Sequence, residues 1–225
     1  MTAEVREISK KYKDKTVLDK VSFEARSGEF VGIIGANGCG KSTLLSVLAG
    51  VAERGGGDFL IDSVSLFSKG GARLRSAVGY VPQGDPLLEE LSAKDNLRMW
   101  YSEKEIKSAA APGGVLSMLG IDAFMNKRVS RMSGGMKRRL TIACAVAGDP
   151  KVLLLDEPTA SLDAECRSSI YAYFDSLKKR GCILIAATHS IAEIGRCDRV
   201  YLLKDGAVAP YSRTPESLTE LAEDL

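Results

Sequence analysis

Apolar positions recur at period two early in the chain. Val21, Phe23 and Ala25 alternate with Ser22, Glu24 and Arg26, the spacing of a strand with one buried face. Residues 5–8 form a shorter run of this kind, and a polar turn at 13–15 separates the two. After Ser27-Gly28, residues 30–34 are apolar without alternation, as in a strand buried on both faces. Residues 43–49 then take helical spacing, with Gly50 as the stop. Gly55-Gly-Gly-Asp58 predicts a loop, residues 59–66 a strand or hairpin, and 78–81 a short strand ended by Pro82.

The pattern changes between residues 83 and 131. Ser92 with Asp95 resembles a capping box that opens a helix through residue 101. Two further helices are predicted at 103–111 and 115–119, broken by Pro112-Gly113-Gly114, and Trp100 and Tyr101 read as local helix core. Strands and helices then alternate. A helix is predicted at 135–146, strands at 151–155, 182–187 and 200–203, and a helix at 164–179 with Ile170, Tyr173, Phe174 and Leu177 on one face. Residues 214–225 predict a short terminal helix. Alternation of this kind gives an α/β fold with a mostly parallel sheet flanked by helices. To it the chain adds an N-terminal antiparallel β layer and an inserted helical subdomain. The expected division of a single domain over 1–225 is a core at 1–83 and 132–225, and a helical subdomain at about 84–131.

Composition narrows the class. The chain has 225 residues, 45% of them hydrophobic, with a net charge of +2. No basic run points to nucleic acid. No apolar run reaches the 18 or so residues of a membrane span. The first residues lack a signal-peptide core. Five cysteines, Cys39, Cys144, Cys166, Cys182 and Cys197, show no C-x-x-C spacing, which favours a reducing, cytoplasmic setting.

Between the strand at 30–34 and the helix after it lies Gly35-Ala-Asn-Gly-Cys-Gly-Lys41-Ser42, which reads G-x-x-x-x-G-K-[ST]. Glycines let backbone N–H groups approach phosphate oxygens, and the following helix N-terminus adds partial positive charge. Asn37, Gly38, Cys39, Gly40 and Thr43 belong to this cradle. Lys41 would reach the β- and γ-phosphates of a nucleotide, and the Ser42 hydroxyl would bind Mg²⁺. The strand at 151–155 ends in Asp156-Glu157-Pro158. Carboxylates at that sheet edge suit a Mg²⁺ ligand, Asp156, and a base that polarises water, Glu157. Ser133-Gly134-Gly135 before a helix can cap it and hold an anion, although taken alone the motif is better read as a plain cap. Lys137-Arg138-Arg139 reads as a solvated helix face, with phosphate or a partner as its other candidate contacts.

Taken in order, the phosphate loop, Pro82-Gln83, Ser133-Gly-Gly, Asp156-Glu-Pro, Ser161-Leu-Asp163 and Thr188-His189-Ser resemble the ATP-binding subunits of the ABC transporter family over nearly the whole chain. The resemblance implies a P-loop NTPase fold with a RecA-like core, and an ATPase that uses ATP and Mg²⁺. It implies that Tyr12 stacks on adenine beside Val17, and that Gln83 contacts Mg²⁺ and the attacking water. It places His189 on the γ-phosphate. Ser133, Gly134, Gly135 and Asp163 would serve a nucleotide shared with a second copy or a homologous subunit, in a head-to-tail dimer with two composite sites. Met132 and Met136 stand where the family signature usually has Leu and Gln.

The implied partner is an integral membrane transporter subunit that holds the chain at the inner face of the membrane. Its docking surface should include the region after Gln83 and part of the helical insertion. The run Ser133-Gly-Gly-Met-Lys-Arg-Arg-Leu140 resembles exporter-type subunits, and the chain ends soon after the last core strand. Export is the favoured direction, with an importer subunit or a non-transport ATPase of the same fold as alternatives. A P-loop kinase or GTPase would leave the Ser-Gly-Gly and Thr-His-Ser elements idle, and no N-K-x-D segment is present. Nucleic acid is not an expected partner.

Overall fold

The computed structural model describes residues 1–69, 71 and 74–212. The terminal helix expected at 214–225 lies outside them. Two sheets organise the chain. The first is antiparallel, in the order β2 (Lys15–Arg26), β1 (Thr2–Tyr12), β4 (Gly56–Ile61) and β5 (Val64–Ser65). The second runs β10 (Ala207–Pro210), β9 (Arg199–Lys204), β3 (Phe30–Ile34), β8 (Ile183–Ala187), β7 (Val152–Asp156) and β6 (Val78–Val81). Its strands are parallel except at the edge, where β10 pairs antiparallel with β9.

Residues 56–58 of the stretch expected as a loop at 55–58 are instead the start of β4, and Gly55 alone lies outside it. Gly56 pairs with Ser9 and Asp58 with Arg6, across an irregularity in β1. Gly57 sits at that bulge with φ +81°, and a side chain there would collide with the carbonyls of Arg6 and Glu7. Gly57 thus lets a strand pass a bulge.

Alternate residues of the central strands feed two separate cores. Phe30, Ile34, Leu153, Leu155, Leu184 and Ala186 face one side. There they meet α5 (Gly134–Ala145), α6 (Ala164–Lys179) and the helical segment after β6. Val31, Ile33, Val152, Leu154, Ile183 and Ile185 face the other, against α1 (Lys41–Leu48) and the antiparallel sheet. Both faces are covered, so these strands carry no polar alternation.

The helical segment contains α2 (Ala93–Leu97), α3 (Glu103–Ala110) and α4 (Val115–Met118). Ser92 caps α2 by accepting from the Asp95 N–H at 3.1 Å. The helix stops at Leu97, short of the expected 101, and Ser102 with Glu105 forms a full capping box for α3. The Pro112–Gly114 break is steric in origin. Gly113 has φ +82°, and a side chain at Gly114 would meet the carbonyls of Ser108 and Ala109. The segment is stapled at its base. Val129 N–H donates to Leu91 O and Ser130 N–H to Glu89 O, each at 2.9 Å, and Ala93 N–H donates to Lys127 O at 3.0 Å. Tyr101 is core as expected, its hydroxyl donating to Ala143 O at 2.7 Å. Trp100 is not core: it is 62% exposed.

Candidate functional site

Four parallel strands deliver their C-terminal ends to one edge of the sheet, where open α/β folds hold ligands. β3 leads into the glycine loop, β6 into Pro82-Gln83, β7 into Asp156-Glu157, and β8 into Thr188-His189. A groove of about 260 Å³ opens there. Tyr12, Val17, Asn37, Gly38, Gly40, Lys41, Ser42, Thr43, Gln83 and Glu157 line it. All ten are residues singled out from the sequence.

The glycine loop is a backbone device. Gly35, Gly38 and Gly40 have φ of +149°, +77° and +116°, the last two well inside the region open chiefly to glycine. A Cβ on Gly40 would come within 2.9 Å of Val17 Cγ1, and one on Gly35 would collide with Leu203 O. Lys41 Nζ is buried and donates to Gly35 O at 2.5 Å and Ala36 O at 3.2 Å. An ammonium has three donors, so one is left for an anion. Cys39 does not line the groove, and its N–H donates within the loop to Ala36 O at 3.2 Å.

Behind the loop, Ser42 hydrogen-bonds the Asp156 carboxylate. Burial pushes the Asp156 pKa up, and the Ser42 hydrogen bond partly offsets this. A buried carboxylate under such pressure suits a cation. Among the described residues no cluster of three His, Cys, Asp or Glu forms a closed metal site. Mg²⁺ takes one or two protein oxygens and draws its other ligands from phosphates and water. A hydroxyl and a carboxylate, both hard oxygens, are the donor set it requires.

Glu157 is the strained residue of the site. Its φ is +48°, in the left-handed region that a non-glycine residue rarely occupies. Its N–H donates to Ala187 O at 2.9 Å, and its Oε1 lies 2.8 Å from His189 Nδ1. His189 is half exposed and does not itself line the groove. Tyr12 is half exposed at the groove mouth, with Lys10 Nζ 4.9 Å from its ring centroid.

Ser133, Gly134, Gly135 and Asp163 stand apart from this groove. Ser133 caps α5 by accepting from Met136 N–H at 3.3 Å. Asp163 Oδ1 caps α6 by accepting from Cys166 N–H at 2.8 Å. The two caps adjoin, since Cys166 Sγ lies 3.6 Å from Gly135 O.

Two residues of the neighbourhood escaped the sequence reading. Arg138, expected on a solvated face, is only 5% exposed and lies behind the strand ends. No local signal separated it from Lys137 and Arg139, its neighbours in the same run of cations. Glu193, in the short helix α7 (Ile191–Ile194), is buried and accepts from both Thr159 N–H, at 3.1 Å, and the Thr159 hydroxyl. Burial pushes its pKa up. No local pattern marks it.

Residues 18–160 match the family model described as ABC transporter. The chain is 37% identical to the Nod factor export ATP-binding protein I of Rhizobium etli over 98% of its own length and 71% of that protein's. Across the first relatives of that name it spans 60% to 71% of their length. Among solved structures, an ATP-binding subunit of an ABC transporter superposes with a TM-score of 0.85 at 28% identity, covering 99% of this chain and 98% of that one. A dimeric ATP-binding cassette in a post-hydrolysis state, bound to ADP and phosphate, gives 0.82 at 28% identity, over 94% and 99%.

Proposed function

The chain belongs to the ABC transporter family as an ATP-binding subunit, and from that membership we propose that it hydrolyses Mg²⁺–ATP to power export through a separate membrane subunit. One observation carries the hydrolytic reading. Lys41, Ser42, Gln83 and Glu157 arrive from three strand ends and line one groove.

The roles follow from chemistry and placement. Lys41 and the loop amides bind phosphates, Tyr12 and Val17 hold the base, and Ser42, Asp156 and Gln83 face the metal. Mg²⁺ held by these residues would supply positive charge against the phosphates. Glu157 orients the attacking water and takes its proton. The contact with His189 fixes Oε1 of Glu157, and the second imidazole nitrogen serves the γ-phosphate. Ser133, Gly134, Gly135 and Asp163 complete the site of a second copy in a head-to-tail dimer. Their separation from the chain's own groove and the dimeric state of a solved neighbour support this. The core at 1–83 and 132–225 would carry the nucleotide, and 84–131 would carry the transport partner.

A second groove, of about 660 Å³, suits that partner. Tyr80, Pro86, Leu87, Met99, Trp100 and Cys144 contribute to its largely apolar wall. It joins the segment after Gln83 to the helical segment, and it exposes a tryptophan. No helix among the described residues is long and apolar enough to cross a membrane; we place the transport path in the partner. The names of the relatives and the Ser133–Leu140 run support export.

The test is Glu157→Gln in the full chain. ATP affinity should stay within about threefold, turnover should fall about 100-fold or more, and an ATP-dependent dimer should accumulate in size-exclusion chromatography. Unchanged turnover overturns the role of Glu157.

A further inference from the structure

Arg138 is buried, charged and absent from the nucleotide groove. A guanidinium carries five N–H donors in one plane, and five acceptors surround this one. Nε donates to Pro158 O at 3.0 Å. One terminal nitrogen donates to Pro82 O at 2.5 Å and lies 3.5 Å from Asp85 Oδ1. The other donates to Asp156 O at 2.6 Å and Glu157 O at 2.9 Å. Asp85 is held a second time from α5, by the Thr141 hydroxyl at 2.9 Å.

The identity of these acceptors matters more than their number. Pro82 directly precedes Gln83. Asp156, Glu157 and Pro158 are the backbone of the proposed metal ligand and base. A left-handed φ at a glutamate is strained and persists only where its surroundings hold it. Here Ala187 O holds the N–H side of Glu157 and Arg138 holds the carbonyl side. Arg138 also lies one turn into α5, the helix that begins at Ser133–Gly135.

We infer that Arg138 is a positioning residue for hydrolysis, clamping the backbone of Glu157 to the backbone entering Gln83 so that the placement of α5 sets the aim of the base. This deepens the proposed function and rests on it. A partner's nucleotide that moves Ser133 would move Arg138 with it, and through Arg138 both loops. Lysine cannot replace the clamp, since three donors leave at least two of the five acceptors unserved.

The test compares Arg138→Lys with wild type in the full chain. The expected result is a kcat lower by about 30-fold, with KM and Kd for ATP within about threefold and a thermal midpoint within a few degrees. In the Glu157→Gln background the same change should lower residual turnover no further, because the group it positions is already gone. Should Arg138→Lys fail to fold, Asp85→Asn addresses the same knot and should lower kcat about threefold at unchanged KM. A folded variant with wild-type kcat overturns the inference, as does equal loss of turnover and ATP affinity, or an additive loss beside Glu157→Gln. Wild-type chain without ATPase activity, or an indifferent Glu157→Gln, overturns the proposed function together with this inference. Active wild type silenced by Glu157→Gln, with Arg138→Lys fully active, overturns this inference alone.

Discussion

The two grooves of this molecule are built in opposite ways. The nucleotide groove sits on strand ends, and its charges are buried and held: Lys41 by two carbonyls, Asp156 by Ser42, Glu157 by His189. The second groove is walled by apolar side chains from distant parts of the chain, and Trp100 and Met99 lie exposed on it. The first is preorganised for a small charged ligand. The second has the amphipathic surface that a protein segment covers. A site for chemistry needs its groups fixed in advance, whereas a site for a partner needs apolar area and one or two large anchors.

Substitutions should separate the two. Lys41→Ala has the largest expected effect. ATP affinity should fall about 100-fold, roughly 2.8 kcal/mol, as read by equilibrium nucleotide binding. Normal affinity would remove the loop from the nucleotide site. Trp100→Ala should weaken capture of the membrane subunit about 30-fold, near 2 kcal/mol, with the ATP affinity of the isolated chain as internal reference. A fall in ATP affinity instead of capture would erase the distinction between the grooves. Tyr12→Ala should cost about tenfold in ATP affinity, in the range of one base–aromatic stack. Equal losses for ATP and inorganic triphosphate would show that the ring does not touch the base.

The smallest effect probes how far the buried charge extends inward. Burial pushes the Glu193 pKa above its unfolded value. Such a group favours the folded state below the unfolded pKa and loses that contribution as pH rises through the folded pKa. Glutamine does not titrate. Glu193→Gln should therefore gain thermal midpoint relative to wild type as pH rises through this window, by about 2–4 °C per kcal/mol in a chain of this size. A difference independent of pH would show that Glu193 does not titrate on folding.

The nucleotide groove was legible in the sequence because its parts are local. Gly35 to Ser42 is one turn between a strand and a helix, and Asp156-Glu157 ends one apolar run. The sheet was legible for the same reason, since strands covered on both faces read as unbroken apolar runs. What escaped depends on distant partners. Arg138 sits in a run of three cations that looks solvated, and only folding brings the Pro82, Glu157 and Pro158 carbonyls around it. Trp100 looked like core because the sequence predicts a helix through 101, yet the helix ends at Leu97 and Trp100 is exposed on the groove that Pro86 and Tyr80 also line. Gly56 and Gly57 looked like a loop, since the bulge in β1 that requires a glycine at 57 is not encoded near them. Glu157's left-handed backbone had no signal at all.

The staple at the base of the helical segment has an evolutionary corollary. Hydrogen bonds between residues 89–93 and 127–130 bring both ends of the segment together before any of its helices is counted. Once ends are joined, each doubling of the enclosed length adds only about 0.6 kcal/mol of closure entropy. Insertions or deletions beyond the staple should thus be tolerated, while changes to the staple itself would unsettle Gln83 and the strand that carries it. The segment's exposed loops should be free to change with the partner, whereas residues that pack on α5, such as Tyr101, are tied to the ATP site.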